Sequence, residues 1–488
     1  TRGFTETYAG AVAGKILLPD GWRADVEGAY SRVTGNYEFS GIPLPGILAQ
    51  ALADPNPTTA FNPFGEGSNT STSTLDRIRG SFLGGVEFKS ELWSGTAKVS
   101  GSVFEMPGGK VKTAAGIEYR KERNFTFNRG PDANGNLITS DPLNFGPKFL
   151  VSREVVAGFG ELLFPIVGES NALPGVQRLD VSLAARVENY SDFGSTANPK
   201  VGVTWTLIPG LSLRGSYGTA FRAPAGTEIF GAAASSQVTI WPDPTSPTGT
   251  RPVLRVARVD PDLGPETASI WTAGFDFSPS AVPRLRLSAT YFSIDFKDRI
   301  TTFGFANLRA LADPTLAAIV QRNPSAADVQ REIDGTTFLG YSASFLATGL
   351  PATPGSVGAI VNIGLQNAAR ERQSGVDFDM SFSQPTEFGD FGVGINGTWL
   401  VKYEQQIAAS SPIFGVLDTL NFPVDLKMRG RLSWSNGPWS ATTFINYTDN
   451  YTNKTVTPAA EVKSWTTVDA SVRYAPTRSG AMEGVSIG

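Results

Sequence analysis

Apolar and polar residues alternate with a period of two along most of this chain, the spacing of strands that carry one apolar and one wet face. From Lys200, the residues Val201, Val203, Trp205 and Leu207 fall on one face, with Gly202, Thr204 and Thr206 on the other. After Pro209 and Gly210 the alternation resumes, with Leu211, Leu213, Tyr217 and Phe221 opposite Ser212, Arg214, Ser216 and Arg222. This is the pattern of a hairpin closed by a Pro-Gly turn. The same dyad recurs at Leu179, Val181, Leu183, Ala185 and Val187, and again at Trp271, Ala273, Phe275 and Phe277. Further copies run through Phe391, Val393, Ile395, Trp399 and Val401, through Trp439 to Tyr447, and through Val468 to Tyr474. About fifteen complete strands are predicted, with another beginning at Gly484. Between Tyr291 and Phe292 the phase changes, which reads as a bulge or as an aromatic at a membrane rim.

Alternation alone also suits a soluble sandwich. Three further features favour a membrane barrel. The strands are long, often about twelve to sixteen residues, where soluble strands usually run to about five or six. The connections alternate in length. Short turns fall at Leu18–Gly21, Pro107–Gly109, Ile208–Gly210, Pro279–Pro283 and Asn436–Pro438, and long connections at roughly 40–88, 128–148, 223–265, 298–370, 405–421 and 449–462. Only residues 191–199 break that rule. Short turns on one side and long loops on the other is the outer-membrane arrangement. Aromatics also sit near strand ends on the apolar face, among them Tyr30, Trp205, Tyr217, Trp399 and Tyr447. Arg186, Glu188, Arg214 and Lys402 lie on the polar face, so a barrel would turn them into its lumen.

The long loops hold what could be specific. Residues 305–335 place Leu308, Leu311, Leu316, Ile319 and Val320 at helical spacing, with Asp313 and Ser325 as candidate N-caps of two short helices. Such helices either decorate neighbouring loops or form a lid over an external ligand site. Four loop aromatics, Phe61, Phe64, Trp241 and Tyr341, are candidate ligand contacts, with packing between loops the competing role for each.

Composition narrows the chemistry. The 488 residues include 53 Gly, 31 Phe, 12 Tyr and 9 Trp, and neither Cys nor His. Zinc sites with His or Cys ligands, haem axial His or Cys, and Ser-His or Cys-His nucleophiles are thereby ruled out. No clustered carboxylate or serine site stands out either; the pair Asp377 and Asp379 belongs to one face of a strand and needs no catalytic account. No enzyme activity and no cofactor are expected. A formal charge of −4 gives no reason to expect nucleic acid. No run of eighteen apolar residues occurs, which excludes a transmembrane helix and leaves a barrel open. The chain starts at Thr1 with no signal peptide, as a mature or partial sequence does.

The stretch from Asn198 to Phe230 resembles a segment of TonB-dependent receptors in which two strands flank a short turn and end in Phe-Arg-x-Pro. Here that motif is Phe221, Arg222 and Pro224, with Glu228 at the following Glu. Leu263, Pro265 and Glu266 look like the family's Leu-x-Pro-Glu, and residues 284–300 resemble its next strand, which ends in Asp-x-Ile. SGVDFDMSFS from Ser374 and TTVDASVRYAP from Thr466 match later strands. FNPFG at Phe61 and the stretch from Val103 to Glu122 are similar to a subgroup of large receptors. The resemblance covers essentially the whole chain.

The fold class expected is therefore all-β: a transmembrane antiparallel β-barrel with long extracellular loops and short helical decoration. The family's barrel has roughly 22 strands around an N-terminal plug. About sixteen are covered here, so residues 1–488 are expected to be a partial barrel without the plug, the first strands and the last strands. The resemblance implies active import of a scarce nutrient, such as a siderophore-iron complex or an oligosaccharide, across the outer membrane of a Gram-negative bacterium. Implied partners are outer-membrane lipid and lipopolysaccharide, the nutrient, and TonB–ExbB–ExbD acting through the plug. The alternative is a passive porin or a barrel for adhesion or secretion.

Overall fold

A strand in hydrocarbon has no water for its amides and carbonyls, so each must pair on both edges with another strand. The computed structural model describes the chain apart from residues 1, 41–44, 65–68, 80–82, 132–136, 139–148, 227, 229–233, 259–262, 303–309, 409–410, 455–457 and 476–488. It builds one antiparallel wall of fifteen long strands. In chain order these are β1 (Arg2–Leu17), β2 (Arg23–Ser40), β3 (Leu83–Met106), β4 (Gly109–Pro131) and β5 (Phe149–Val167). There follow β6 (Arg178–Tyr190), β7 (Gly194–Ile208), β8 (Leu211–Arg222), β9 (Glu266–Phe277) and β10 (Leu285–Thr302). The last five are β11 (Leu365–Thr386), β12 (Gly389–Gln406), β13 (Leu426–Asn436), β14 (Trp439–Thr448) and β15 (Trp465–Tyr474). Each pairs with the next in sequence. Gly484 lies outside the described residues.

Because consecutive strands are antiparallel neighbours, every second connection lies at the same rim. One rim takes the tight turns, including Pro19–Gly21, residues 209–210 and residues 437–438. The other takes the connections 41–82, 223–265 and 303–364. Residues 191–193 are the short exception at that second rim. At the tight-turn rim Gly210 has φ +87°, and a Cβ there would strike the Ser278 carbonyl of the next turn. Only glycine satisfies both conditions.

Alternation places the apolar residues outside. Val201, Val203, Trp205 and Leu213 stay exposed rather than packing between two sheets, and Leu211 is half-buried. Aromatic pairs line this band. Tyr30 and Trp93 (ring centroids 4.2 Å apart) and Tyr217 and Trp271 (4.5 Å) stack near the middle of their strands. Trp439 and Tyr474 (4.7 Å) sit beside the tight turns, where Trp205 Nε1 also donates to the Gly175 carbonyl at 2.9 Å. Amphipathic rings at the tight-turn rim are what a bilayer interface selects.

Strand β10 differs in detail from the alternation. Its pairing runs without a shift past Tyr291 and Phe292, and the bulge falls between Phe296 and Ile300, where Asp298 has φ +55°. Tyr291 is 45% exposed on the outer face, on the same rung as Val203. Phe292 points the other way, over Gly375 of β11.

Replacing Val203 with Arg puts a cation on the lipid face between the levels of Trp205 and Tyr217. We expect a loss of roughly 2–4 kcal/mol in folding into bilayers, with Thr204→Arg, one residue along on the lumen face, costing much less. Equal losses in a reversible liposome-folding titration would contradict the assigned faces.

Candidate functional site at the long-loop rim

The polar face of the wall is laced with ion pairs between residues two apart, which period two places side by side. Arg186 Nε donates to Glu188 at 2.5 Å and its Nη2 to Glu118 two strands away at 2.9 Å. Arg120 joins Glu118, Glu122 and the Tyr190 hydroxyl, which donates to Glu188 at 3.0 Å. Arg214 meets Asp276 at 3.2 Å and Lys402 meets Glu404 at 3.3 Å. Asp377 accepts from Thr398. Arg186, Glu188 and Arg214 lie on this polar face as expected, whereas the bulge at Val401 brings Lys402 into register with Ser374, on the same side as Val376 and Trp399.

Higher up, the polar face becomes a set of clamps on the loop roots. The Arg222 guanidinium grips Glu266 of β9 with two hydrogen bonds, 2.5 and 2.7 Å, and Glu228 with two more, 2.9 and 3.1 Å. Glu228 also accepts from the Ala225 amide, closing the turn that carries Pro224. Buried Glu266 accepts in addition from the Ile300 amide of β10 at 2.7 Å. The Pro224 carbonyl takes Arg153 Nη2, while Arg153 Nε binds Asp192. Phe221 packs edge-on against Tyr190 at 5.8 Å. The motif residues Phe221, Arg222, Pro224 and Glu228 thus meet in one place, as a brace that fixes where the loop after β8 departs. Bidentate guanidinium–carboxylate geometry suits that task because it restrains orientation as well as distance.

Two connections separated by a whole hairpin fold together above the wall. Residues Ser235–Pro242 and Thr250–Ala257 come from the first, and Val320–Arg322, Thr337–Tyr341 and Ala359–Asn362 from the second. They form one five-stranded mixed sheet, with Thr250–Ala257 parallel to Ala359–Asn362. One face buries Trp241, Val253, Ala359 and Val361 under Leu311, Leu316 and Ile319. The other buries Val238, Leu254, Val256 and Ile360 under Val329 and Phe345. The helix Ala326–Asp334 is capped by Ser325, whose hydroxyl accepts from the Asp328 amide. The preceding segment forms a 3-10 turn over Pro314–Ile319 instead of a second α-helix. Leu308 lies outside the described residues.

This apical domain contains a fully buried carboxylate, Asp243. Burial alone would raise its pKa, but hydrogen bonds from Arg251, Thr245 and Arg322 override that and hold it far below the usual carboxylate range. The four loop aromatics are dispersed. Trp241 is 3% exposed within the apical core. Tyr341 is half-buried against Phe338 and Phe345, which raises its pKa by desolvation. Phe61 is half-buried and Phe64 is 83% exposed, both in the separate loop after β2. Sequence reasoning passed over Arg153, Asp243 and the braced node at Glu266. The last was visible as the Glu of Leu-x-Pro-Glu, while the other two left no local signal.

A single-layer antiparallel wall, carrying aromatics, polar within and loop-capped at one rim, defines the wall of an outer-membrane β-barrel. The family model "TonB dependent receptor-like, beta-barrel" matches residues 4–487, and the chain belongs to that family of Gram-negative outer-membrane transporters, which are not enzymes. Among solved structures, the siderophore receptor PirA from Acinetobacter baumannii superposes with a TM-score of 0.56 at 12% identity, over 97% of this chain and 56% of that one. The chain thus spans about half the length of that receptor. The copper transporter OprC is similar at a TM-score of 0.49 and 11% identity, over 93% of this chain and 55% of that chain. The likeness to PirA shows the fold alone. No curated protein matches in sequence.

Phe345 is fully buried in the apical core. Phe345→Ala is expected to destabilise that domain by roughly 3–5 kcal/mol, read as faster amide exchange at Val238, Leu254 and Ile360 with β3–β5 amides unchanged. A uniform change across wall and loops would contradict an apical unit with its own core. Glu266→Ala removes the acceptor shared by Arg222 and the Ile300 amide. Exchange at Ile300 is expected to rise at least tenfold, and an unchanged rate would show that the brace carries no weight.

Proposed function

We propose that this protein captures a scarce nutrient outside the cell and passes it to the periplasm, driven by TonB–ExbB–ExbD acting through a plug seated in the barrel. The observation that carries this reading is the family match over residues 4–487 together with an ordered apical domain at the long-loop rim. A passive pore has no need of a folded, braced domain over its mouth. The chain is read as the barrel part of the receptor, with outer-membrane lipid and lipopolysaccharide against its apolar band. Siderophore-bound iron and oligosaccharides are the cargo classes in view. Phe64 is the best exposed of the four loop aromatics for ligand contact, and Phe61 precedes it by three residues in the same loop. Trp241 and Tyr341 act by shaping the apical domain.

The test is uptake of a labelled nutrient panel in cells producing the full-length receptor, with and without TonB. One nutrient should accumulate only when receptor and TonB are both present. Accumulation that ignores TonB would favour the porin alternative. In planar bilayers the intact protein should conduct little and a plug-deleted form should conduct widely; equal conductance would contradict a gated pore.

A further inference from the structure

Not every charge of the wall turns to the lumen. On the outward face of β10, β11 and β12, Asp295, Arg372 and Glu404 share one rung. Lys297 and Arg370 flank that rung on the long-loop side and Lys402 on the other. Tyr291 and Trp399, both exposed, continue the same face toward the tight turns, so these charges point to the lipid side. Arg370 Nε donates to Asp295 at 2.7 Å, whereas Arg372 stands 3.8 Å from the same carboxylate and Lys402 3.3 Å from Glu404. The Lys402 side chain is 49% exposed and that of Arg372 36%. Four cations thus face two carboxylates, and with Asp298 of the adjoining bulge counted, cations still outnumber them.

Depth says what these charges meet. Asp295 lies ten residues along β10 from Leu285. At about 3.3 Å per residue and a tilt of roughly 40°, that is about 25 Å of height, the height of the apolar band itself. The cluster therefore sits at the outer edge of the hydrocarbon, where an outward cation is tolerated and lipid headgroups lie. We infer that it binds the phosphate-bearing headgroup of an outer-leaflet lipid. The excess of positive charge calls for an anion. A guanidinium can hold a phosphate through two parallel hydrogen bonds, and Arg372, loosely held by its carboxylate, is placed to turn to one. Lys297, Arg372 and Lys402 come from three neighbouring strands and so span about 10 Å of wall, room for a headgroup with two phosphates. Below them the exposed rings of Tyr291 and Trp399 offer an apolar ledge to acyl chains. A soluble anion would meet the cations alone, whereas a lipid meets cations and ledge together.

The inference goes beyond the importer reading and needs only that the long-loop rim face outward. Full-length receptor, stripped of lipid in a non-ionic detergent, is titrated with diphosphorylated lipid A and with the same lipid after phosphatase treatment. Bound lipid is counted by native mass spectrometry. The wild type should hold the phosphorylated form at least tenfold more tightly than the dephosphorylated one. Arg372→Gln combined with Lys402→Gln should reduce that affinity tenfold or more, with a melting temperature in lipid-free micelles matching the wild type. Arg178→Gln combined with Lys112→Gln removes the same charge from the lumen face and should bind as the wild type does. Equal binding of the two lipids would overturn the proposal, as would wild-type affinity in the Arg372 and Lys402 variant. An equal loss in the lumen-face variant would also overturn it, because net charge and not this cluster would then set the affinity.

Discussion

Hydrocarbon withholds hydrogen-bond partners from the backbone, and the arrangement of this protein follows from that. Every wall strand must pair along its length, so the wall is continuous and one layer thick, and its two faces meet different solvents. A slip of one residue would turn each apolar side chain inward and each charge toward lipid. Alternation therefore fixes register as strongly as it fixes the fold. It also accounts for the ion pairs between residues two apart, such as Arg23 with Asp25 and Arg178 with Asp180. Exposed pairs of this kind contribute about 0–1 kcal/mol at most. Their effect is to hold long side chains flat against the wall.

Beyond the hydrocarbon the constraint lifts. Water again satisfies stray backbone groups, and the chain above the wall obeys the rules of soluble domains: a capped amphipathic helix, a core on each side of a sheet, a buried carboxylate held by two arginines. Among the described residues, parallel strand pairs appear there and not between wall strands. The two halves of this domain leave the wall on either side of the β9–β10 hairpin, so its core ties together connections that the wall keeps apart.

What was legible in the sequence divides along the same line. The wall was readable because its information is local: Val201, Val203 and Trp205 announce a face by spacing alone. The cap at Ser325 was readable for the same reason, since Asp328 answers it three residues on. The apical sheet was not. Its partners lie about a hundred residues apart, and no spacing rule pairs Val253 with Ala359. The run AIVNIG from Ala359 and the alternation around Val253 carried strand character, but the loop lengths hid it. The misplaced bulge near Tyr291 has a related cause. An aromatic is tolerated on the lumen face where glycine faces it, so Phe292 over Gly375 mimics a change of phase. Trp241 looked like a ligand contact because an aromatic in a polar loop suggests exposure, whereas its neighbours in space are Val253 and Leu316.

The braces at the loop roots join these two regimes. Glu266 spends one oxygen on Arg222 and on the Ile300 amide together, so β8, β9 and β10 are locked where the chain leaves the wall. Arg153 does the same for the Pro224 carbonyl from β5. A binding surface made of free loops must order them on capture, at about 0.5–1.5 kcal/mol for each immobilised side chain. Here ordering is already done by folding: the root is clamped, the sheet is closed across two connections, and the core beneath is dry. Under the proposed importer reading, the apical domain would therefore meet a dilute ligand with little further loss of entropy, which is the property a capture step before energised transport requires.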